Sequence, residues 1–200
     1  AAIIFSDILM IPYGLGQRVE FKKNFGPNLE DLEIDKILDI DEEEFKKKLS
    51  PIYELLVDLK KSEDLKKKDI IGFVGAPWTL LVYMINKVSP KNGLVSNFFS
   101  DISLINNLLK ILDKFIKVHI RNQVNAGATI IQIFDSWSGL IKSDLDKYLY
   151  DPTLSLVNYT KSLGVPVICF PRGITDYSQF CKIVNPSMIN IDYNVNPKNL

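Results

Sequence analysis

The sequence predicts an α/β fold built on a parallel sheet. Three features carry that reading: short Ile- and Val-rich runs, helix-like segments between them, and polar or aromatic clusters just after each run. The runs span residues 1–5, 69–74, 129–134, 165–170 and 188–191. They do not alternate with polar residues, which is the pattern of parallel strands covered on both faces. Strand and helix alternate along the chain, so the connections are right-handed crossovers. An open doubly wound sheet and a closed (β/α)8 barrel both fit. Such a barrel typically takes ~250 residues, so five units in 200 residues make an incomplete one.

The elements follow in order. The first run leads into Ser6-Asp7. Residues 19–49 are polar and irregular, with Gly26-Pro27 and the acidic run 41–44, and read as an excursion followed by a solvated helix. Ser50-Pro51 supplies an N-cap with Pro in the first turn, followed by Tyr53, Leu55, Leu56 and Leu59. Asp101 opens a long helix with Leu104, Leu108, Ile111, Leu112 and Phe115 at spacings of three and four, and Gly127 stops it. Asp151-Pro152 opens another helix, Gly164 closes it, and Thr175 begins a shorter one. The Lys runs 46–48 and 66–68 read as solvated surface. With no internal repeat and no linker, residues 1–200 form one domain.

Composition narrows the function. The apolar share is 46% and the charged share 24%, as in a packed globular chain. Lys plus Arg and Asp plus Glu are both 24, so no net field points to nucleic acid or an anionic membrane. Only Arg18, Arg121 and Arg172 are arginines, which makes each more noticeable. Cys169 and Cys181 make no disulfide framework or metal site and read as small buried side chains. No run reaches the length of a membrane span, and no signal peptide is seen, so the cytosol is the expected compartment. The chain starts without Met inside an apolar run and stops at residues 197–200, which resemble a first helical turn; it is expected to be an internal fragment. Gly14-x-Gly16 lacks the third Gly of a dinucleotide fingerprint. The one histidine, His119, lies inside the long helix and reads as a packing or surface residue, so no Ser-His-Asp triad can be built.

In parallel α/β folds the site lies at the carboxyl ends of the strands. Those positions hold Ser6-Asp7, Gly75-Ala76-Pro77-Trp78-Thr79, Asp135-Ser136-Trp137-Ser138-Gly139, Pro171-Arg172-Gly173 and Asp192-Tyr193. Together they would form a rimmed pocket floored by carboxylates. Taken alone, Asp7 reads as a cap at a strand end.

The same segments carry a resemblance. AAIIFSDIL at residues 1–9, GFVGAPWTLLVYMI at 72–85, NAGATIIQIFDSWSG at 125–139, PVICFPRG at 166–173 and NIDY at 190–193 resemble the uroporphyrinogen decarboxylase family, in its bacterial form, over essentially the whole chain. The resemblance implies a (β/α)8 TIM barrel, incomplete here with about five βα units, and a cytoplasmic homodimer without cofactor or metal. It implies the substrate uroporphyrinogen III, whose four acetates become methyl groups, giving coproporphyrinogen III in haem biosynthesis. By the matching motifs Asp7 takes the catalytic role, meeting the pyrrole N–H groups at the centre of the macrocycle, and Tyr83 and Ser136 are substrate contacts. Ile3 and Phe5 would pack near the ring. Asp135 orients a loop, and Arg172 is either structural or a partner of a substrate carboxylate. An ionised Asp is acceptor-only, with about four lone-pair sites, so one residue can serve several converging N–H donors.

The family's Arg-rich segment upstream of FSDIL and its His in a loop near the C-terminus have no counterpart here, so the 200 residues alone are expected to be inactive. The alternatives are a corrinoid-dependent methyltransferase of the same superfamily, a binding protein that holds a porphyrinogen without turnover, and an inactive fragment.

Overall fold

The computed structural model describes residues 1–4, 6–23 and 26–199. Five strands, β1 (Ala2–Ile3), β4 (Ile70–Gly75), β5 (Ile130–Asp135), β6 (Val167–Pro171) and β7 (Met188–Ile189), form one sheet in the order β1-β4-β5-β6-β7. Every pairing is parallel, including Ile71 with Ile130, Ile131 with Val167 and Cys169 with Ile189. A doubly wound sheet reverses its strand order at a switch point. Here the order never reverses, so the sheet is a sector of a (β/α)8 barrel. Expected strand ends agree with the observed ones to within about two residues, the usual uncertainty of boundaries.

Helices cover the sheet. α5 (Pro77–Asn86) follows β4, α6 (Ile102–Ala126) precedes β5, α7 (Asp151–Ser162) precedes β6 and α8 (Tyr177–Val184) precedes β7. α6 buries Ile105, Leu108, Leu112, Phe115, Ile116 and Ile120 along one stripe. Asp101 caps it, accepting from the Leu104 N–H at 2.8 Å, and Gly127 ends it at φ 122°. Gln123 on this helix is fully buried. Its side chain bonds both backbone groups of Phe73, accepting at 3.0 Å and donating at 3.1 Å. Gly72 permits this, because a Cβ there would stand 2.5 Å from Gln123 Oε1.

The 19–49 stretch is more ordered than its polarity suggests. β2 (Val19–Lys22) and β3 (Gly26–Leu29) form an antiparallel hairpin. The buried Gln17 ties it down by donating to the carbonyls of Glu30 at 2.8 Å and Met84 at 3.1 Å. α1 (Met10–Gly14), α2 (Ile34–Asp39) and α3 (Glu42–Lys48) complete the excursion. In α3 the acidic residues occupy the first turn and Lys46, Lys47 and Lys48 the last, complementing the helix dipole. Phe45 from the same helix is fully buried.

One expected cap is corrected. Ser50 is not the N-cap of α4 (Ser50–Lys61): Leu49 both ends α3 and begins α4, so the helices abut and leave no separate entry for Ser50 to cap. α7 opens at Asp151 as expected, directly after a π-helical turn over Asp146–Tyr150. The shorter helix expected from Thr175 begins at Tyr177 and is capped by Asp176, which accepts from the Gln179 N–H. Cys169 is buried as expected, whereas Cys181 is only partly so. His119 is a packing residue in the interior, its Nδ1 2.8 Å from the Tyr53 hydroxyl, and burial pushes its pKa down to about 3. Among the described residues, no helix is long and apolar enough to cross a membrane.

Candidate active site at the strand ends

Asp7 stands in the loop after β1. Its backbone lies in the left-handed region at φ 70°, where Asp is among the few tolerated L-residues. Oδ1 accepts from the Leu9 N–H at 2.7 Å, an Asx turn that offers the backbone a local partner. The cap reading of Asp7 is therefore true of one oxygen, and the other lies outside that bond. The side chain is half-buried. The next residue, Ile8, approaches β4 so closely that a Cβ on Gly75 would lie 3.1 Å from Ile8 Cβ. Gly75 thus seats the Asp7 loop on the neighbouring strand end. Phe5 lies outside the described residues, and Ile3 is 44% exposed.

The strand ends are joined by a hydrogen-bonded ladder. Thr79, in the first turn of α5, donates from its hydroxyl to Asp135 Oδ1 at 2.6 Å and accepts from the Trp137 N–H at 3.0 Å. The Trp78 indole donates to the Trp137 carbonyl at 2.9 Å. From β5 to β6, the Arg172 N–H donates to the Asp135 carbonyl and the Gly139 N–H to the Arg172 carbonyl, each at 3.0 Å. Gly139 and Gly173 touch backbone to backbone: a Cβ on Gly139 would meet Gly173 O at 2.8 Å. From β6 to β7, Asp192 Oδ2 accepts from the Gly173 N–H at 2.6 Å and the Tyr177 hydroxyl at 2.7 Å. Burial and this bond hold the Tyr177 phenol up at about 12.

The sequence-derived residues fall as follows. Tyr83 is half-buried on α5, its ring edge-on to Trp137 at 6.2 Å between centroids. Ser136 is half-buried in the turn after β5. The ladder and that ring contact bring α5 and the β5 turn together. Arg172 is exposed, with Nε 4.0 Å from Asp192 Oδ1, a distance at the limit of an ion pair. Trp78 does not line a rim: it is buried among Phe98, Phe99 and Tyr148.

Sequence reasoning underrated Asp135 and placed Thr79 at a strand end without a role of its own. Asp135 is buried and Oδ2 finds no hydrogen-bond partner among the described residues. Burial pushes its pKa up to about 7, against the pull of Thr79. Ser6 Oγ and Trp137 Nε1 are likewise buried and unpartnered among the described residues. Unpaired buried polar atoms are uncommon, and these lie at the strand ends. A carboxylate following an apolar run was the available signal for Asp135; for Thr79 the strand-end position was the signal, but nothing local pointed to its partner. Among the described residues, no group of three or more His, Cys, Asp or Glu is arranged to hold a metal.

Comparison with known proteins agrees with this architecture. The chain resembles, with 16% identity and a TM-score of 0.64, a structure described as a methyltransferase from Methanosarcina mazei, over 90% of this chain and 53% of that one. At that identity the likeness shows the fold alone. Proteins named uroporphyrinogen decarboxylase are far more similar in sequence. That of Rickettsia bellii (strain RML369-C) is 35% identical over 198 residues, 96% of this chain and 58% of the relative. That of Orientia tsutsugamushi (strain Ikeda) is 37% identical over 204 residues, with 98% and 58% covered. That of Campylobacter jejuni (strain RM1221) is 36% identical over 189 residues, with 88% and 54% covered. The chain thus spans little more than half the length of these relatives. The family model described as Uroporphyrinogen decarboxylase (URO-D) matches residues 1–200. With that match over its whole length, the chain belongs to the uroporphyrinogen decarboxylase family.

Proposed function

We propose that this chain forms the substrate-binding core of a carboxy-lyase that converts uroporphyrinogen III to coproporphyrinogen III, removing carbon dioxide from four acetate side chains. The supporting observation is the setting of Asp7. A strained backbone and the Asx turn fix its carboxylate at a strand end, while the second oxygen is left to accept pyrrole N–H groups. Tyr83 and Ser136 are the further substrate contacts in this reading. It requires no cofactor, takes residues 1–200 as one domain, and places the enzyme as a homodimer in the cytoplasm.

The chemistry explains why a fixed carboxylate suits the task. A pyrrole acetate loses carbon dioxide readily only once the ring carbon is protonated. The bond to the carboxylate then breaks, and its electron pair flows into the cationic ring. Protonation of the exocyclic carbon and loss of the ring proton give the methyl group. Each acetate therefore consumes one proton and releases one carbon dioxide. Asp7 stabilises the cation where it develops, and a preorganised group of this kind contributes ~3–4 kcal/mol, strengthened by apolar surroundings.

The test uses the product of the complete gene, incubated with uroporphyrinogen III under reducing conditions, with products separated by carboxyl count. Asp7→Asn keeps the shape and removes the charge. Conversion that falls by a factor on the order of 100 or more in the variant agrees with the assignment. Conversion unchanged by the variant refutes the role of Asp7. No conversion by folded wild type refutes the reaction itself.

A further inference from the structure

We propose that Asp135 is a positioning residue for this reaction, fixing the α5 face that carries Tyr83 and the turn that carries Ser136 as one unit through the hydroxyl of Thr79. The inference rests on the decarboxylase reading and deepens it. Thr79 and Tyr83 are four residues apart on α5, so they lie on one helix face. Asp135 and Ser136 are adjacent at the end of β5. The 2.6 Å bond between Thr79 Oγ1 and Asp135 Oδ1 is therefore the shortest polar link between the two elements that bear the substrate contacts.

Thr79 is engaged as both donor and acceptor in this role. Its hydroxyl hydrogen goes to Asp135, and its oxygen accepts the Trp137 N–H at 3.0 Å. Trp137 is held again through its carbonyl by the Trp78 indole, and its ring abuts the Tyr83 ring. The path from Asp135 to Tyr83 thus runs both along α5 and through Trp137. A purely structural residue would serve more cheaply as an amide or an apolar side chain, because a buried carboxylate with a bare oxygen is costly. Asp135 keeps that cost, with Oδ2 unpartnered among the described residues. Local rules broken without a gain in stability concentrate where function constrains geometry.

The experiment is a double-mutant cycle on the complete gene product, with Thr79→Val and Tyr83→Phe, alongside Thr79→Ser. Thr79→Val keeps the volume and removes the hydroxyl. We expect kcat/KM for uroporphyrinogen III to fall at least tenfold, and Thr79→Ser to restore most of it. In the cycle, the double variant should lose clearly less than the product of the two single losses, because Thr79 acts in part through Tyr83 and in part through the Ser136 turn. Losses that multiply, or a Thr79→Val enzyme within twofold of wild type, overturn the proposal. Should Thr79→Val not fold, Thr79→Cys, a weaker donor of similar size, enters the cycle under the same criteria. Hydrogen exchange at the Trp137 amide gives a reading independent of turnover: it should quicken in Thr79→Val, and unchanged protection overturns the positioning claim. Wild type without turnover would sink the decarboxylase reading, leaving the positioning claim to be decided by the exchange measurement.

Discussion

Two buried groups titrate in opposite senses, and their effects on stability should cancel in acid. His119 has its pKa pushed by burial from 6.5 down to about 3, and Asp135 is pushed by burial from 3.8 up to about 7. Between pH 4 and 6.5 the unfolded chain protonates His119 and leaves Asp135 ionised, while the folded chain does the reverse. Stability from keeping His119 neutral is present above its unfolded pKa and is lost as pH falls towards the folded one. Stability from protonated Asp135 is present below its unfolded pKa and is lost as pH rises through about 7. Each slope is about 1.4 kcal/mol per pH unit, so the pair cancels. Over the 1.5 units from about pH 6 to 4.5, each group alone would shift stability by about 2 kcal/mol. For a chain of this size that is roughly 4–8 °C in Tm. Asp135→Asn exposes the His119 slope, and the variant should weaken relative to wild type as the solution is acidified. His119→Gln exposes the Asp135 slope and should strengthen by a similar amount, whereas the double variant tracks wild type. Thermal unfolding of the four proteins across that range, read as differences, removes the titration of other groups. Single-variant differences that stay constant with pH would refute the assignment of both groups.

Three further outcomes follow from packing. Gly139→Ala brings a Cβ to 2.8 Å from Gly173 O, and backbone must move, so a loss of about 1–3 kcal/mol is expected in urea unfolding. Gln123→Leu removes both bonds to the Phe73 backbone and should destabilise by about 2–4 kcal/mol by the same measurement, since two buried hydrogen bonds are lost. Asp192→Ala releases the Tyr177 hydroxyl, and ultraviolet titration should show that phenol dropping from about 12 towards its ordinary 10.

The sheet was legible because buried parallel strands are continuous apolar runs, and only their ends moved. The hairpin of β2 and β3 was not. Its strands, Val-Glu-Phe-Lys and Gly-Pro-Asn-Leu, contain no apolar run, and contacts such as the one from Gln17 to Met84, 67 residues away, hold it in place. Ser50 carries a sound local capping signal, overridden because Leu49 already joins it to the preceding helix. The strand-end clusters marked which strand ends carry polar and aromatic residues, but not which side chains meet. The link from Thr79 to Asp135 joins residues 56 apart, and no local pattern encodes it. Asp192 stood out as a strand-end carboxylate, yet its role as a joint acceptor for Gly173 and Tyr177 depends on Tyr177, at the start of α8, meeting the segment after β7.

Asp7 offers a separation of the cap from the chemistry. At φ 70° the backbone costs an L-residue on the order of 1 kcal/mol, and the Asx bond to the Leu9 N–H offsets about that much. Asn tolerates the same region and accepts the same bond. Asp7→Asn should therefore match wild type in Tm to within about 2 °C, consistent with a stability change under ~0.5 kcal/mol. Asp7→Gly relieves the strain and loses the bond, so its stability should also stay within about 1 kcal/mol. If Asp7 served only as a cap, Asn would preserve everything and Gly would cost little in any assay. If its charge stabilises the cationic ring, both variants unfold like wild type and both fail to release carbon dioxide from uroporphyrinogen III. Thermal unfolding and turnover measured on the same preparations decide between these outcomes, and a variant that is destabilised by several kcal/mol and inactive only to that extent would assign Asp7 to the fold instead.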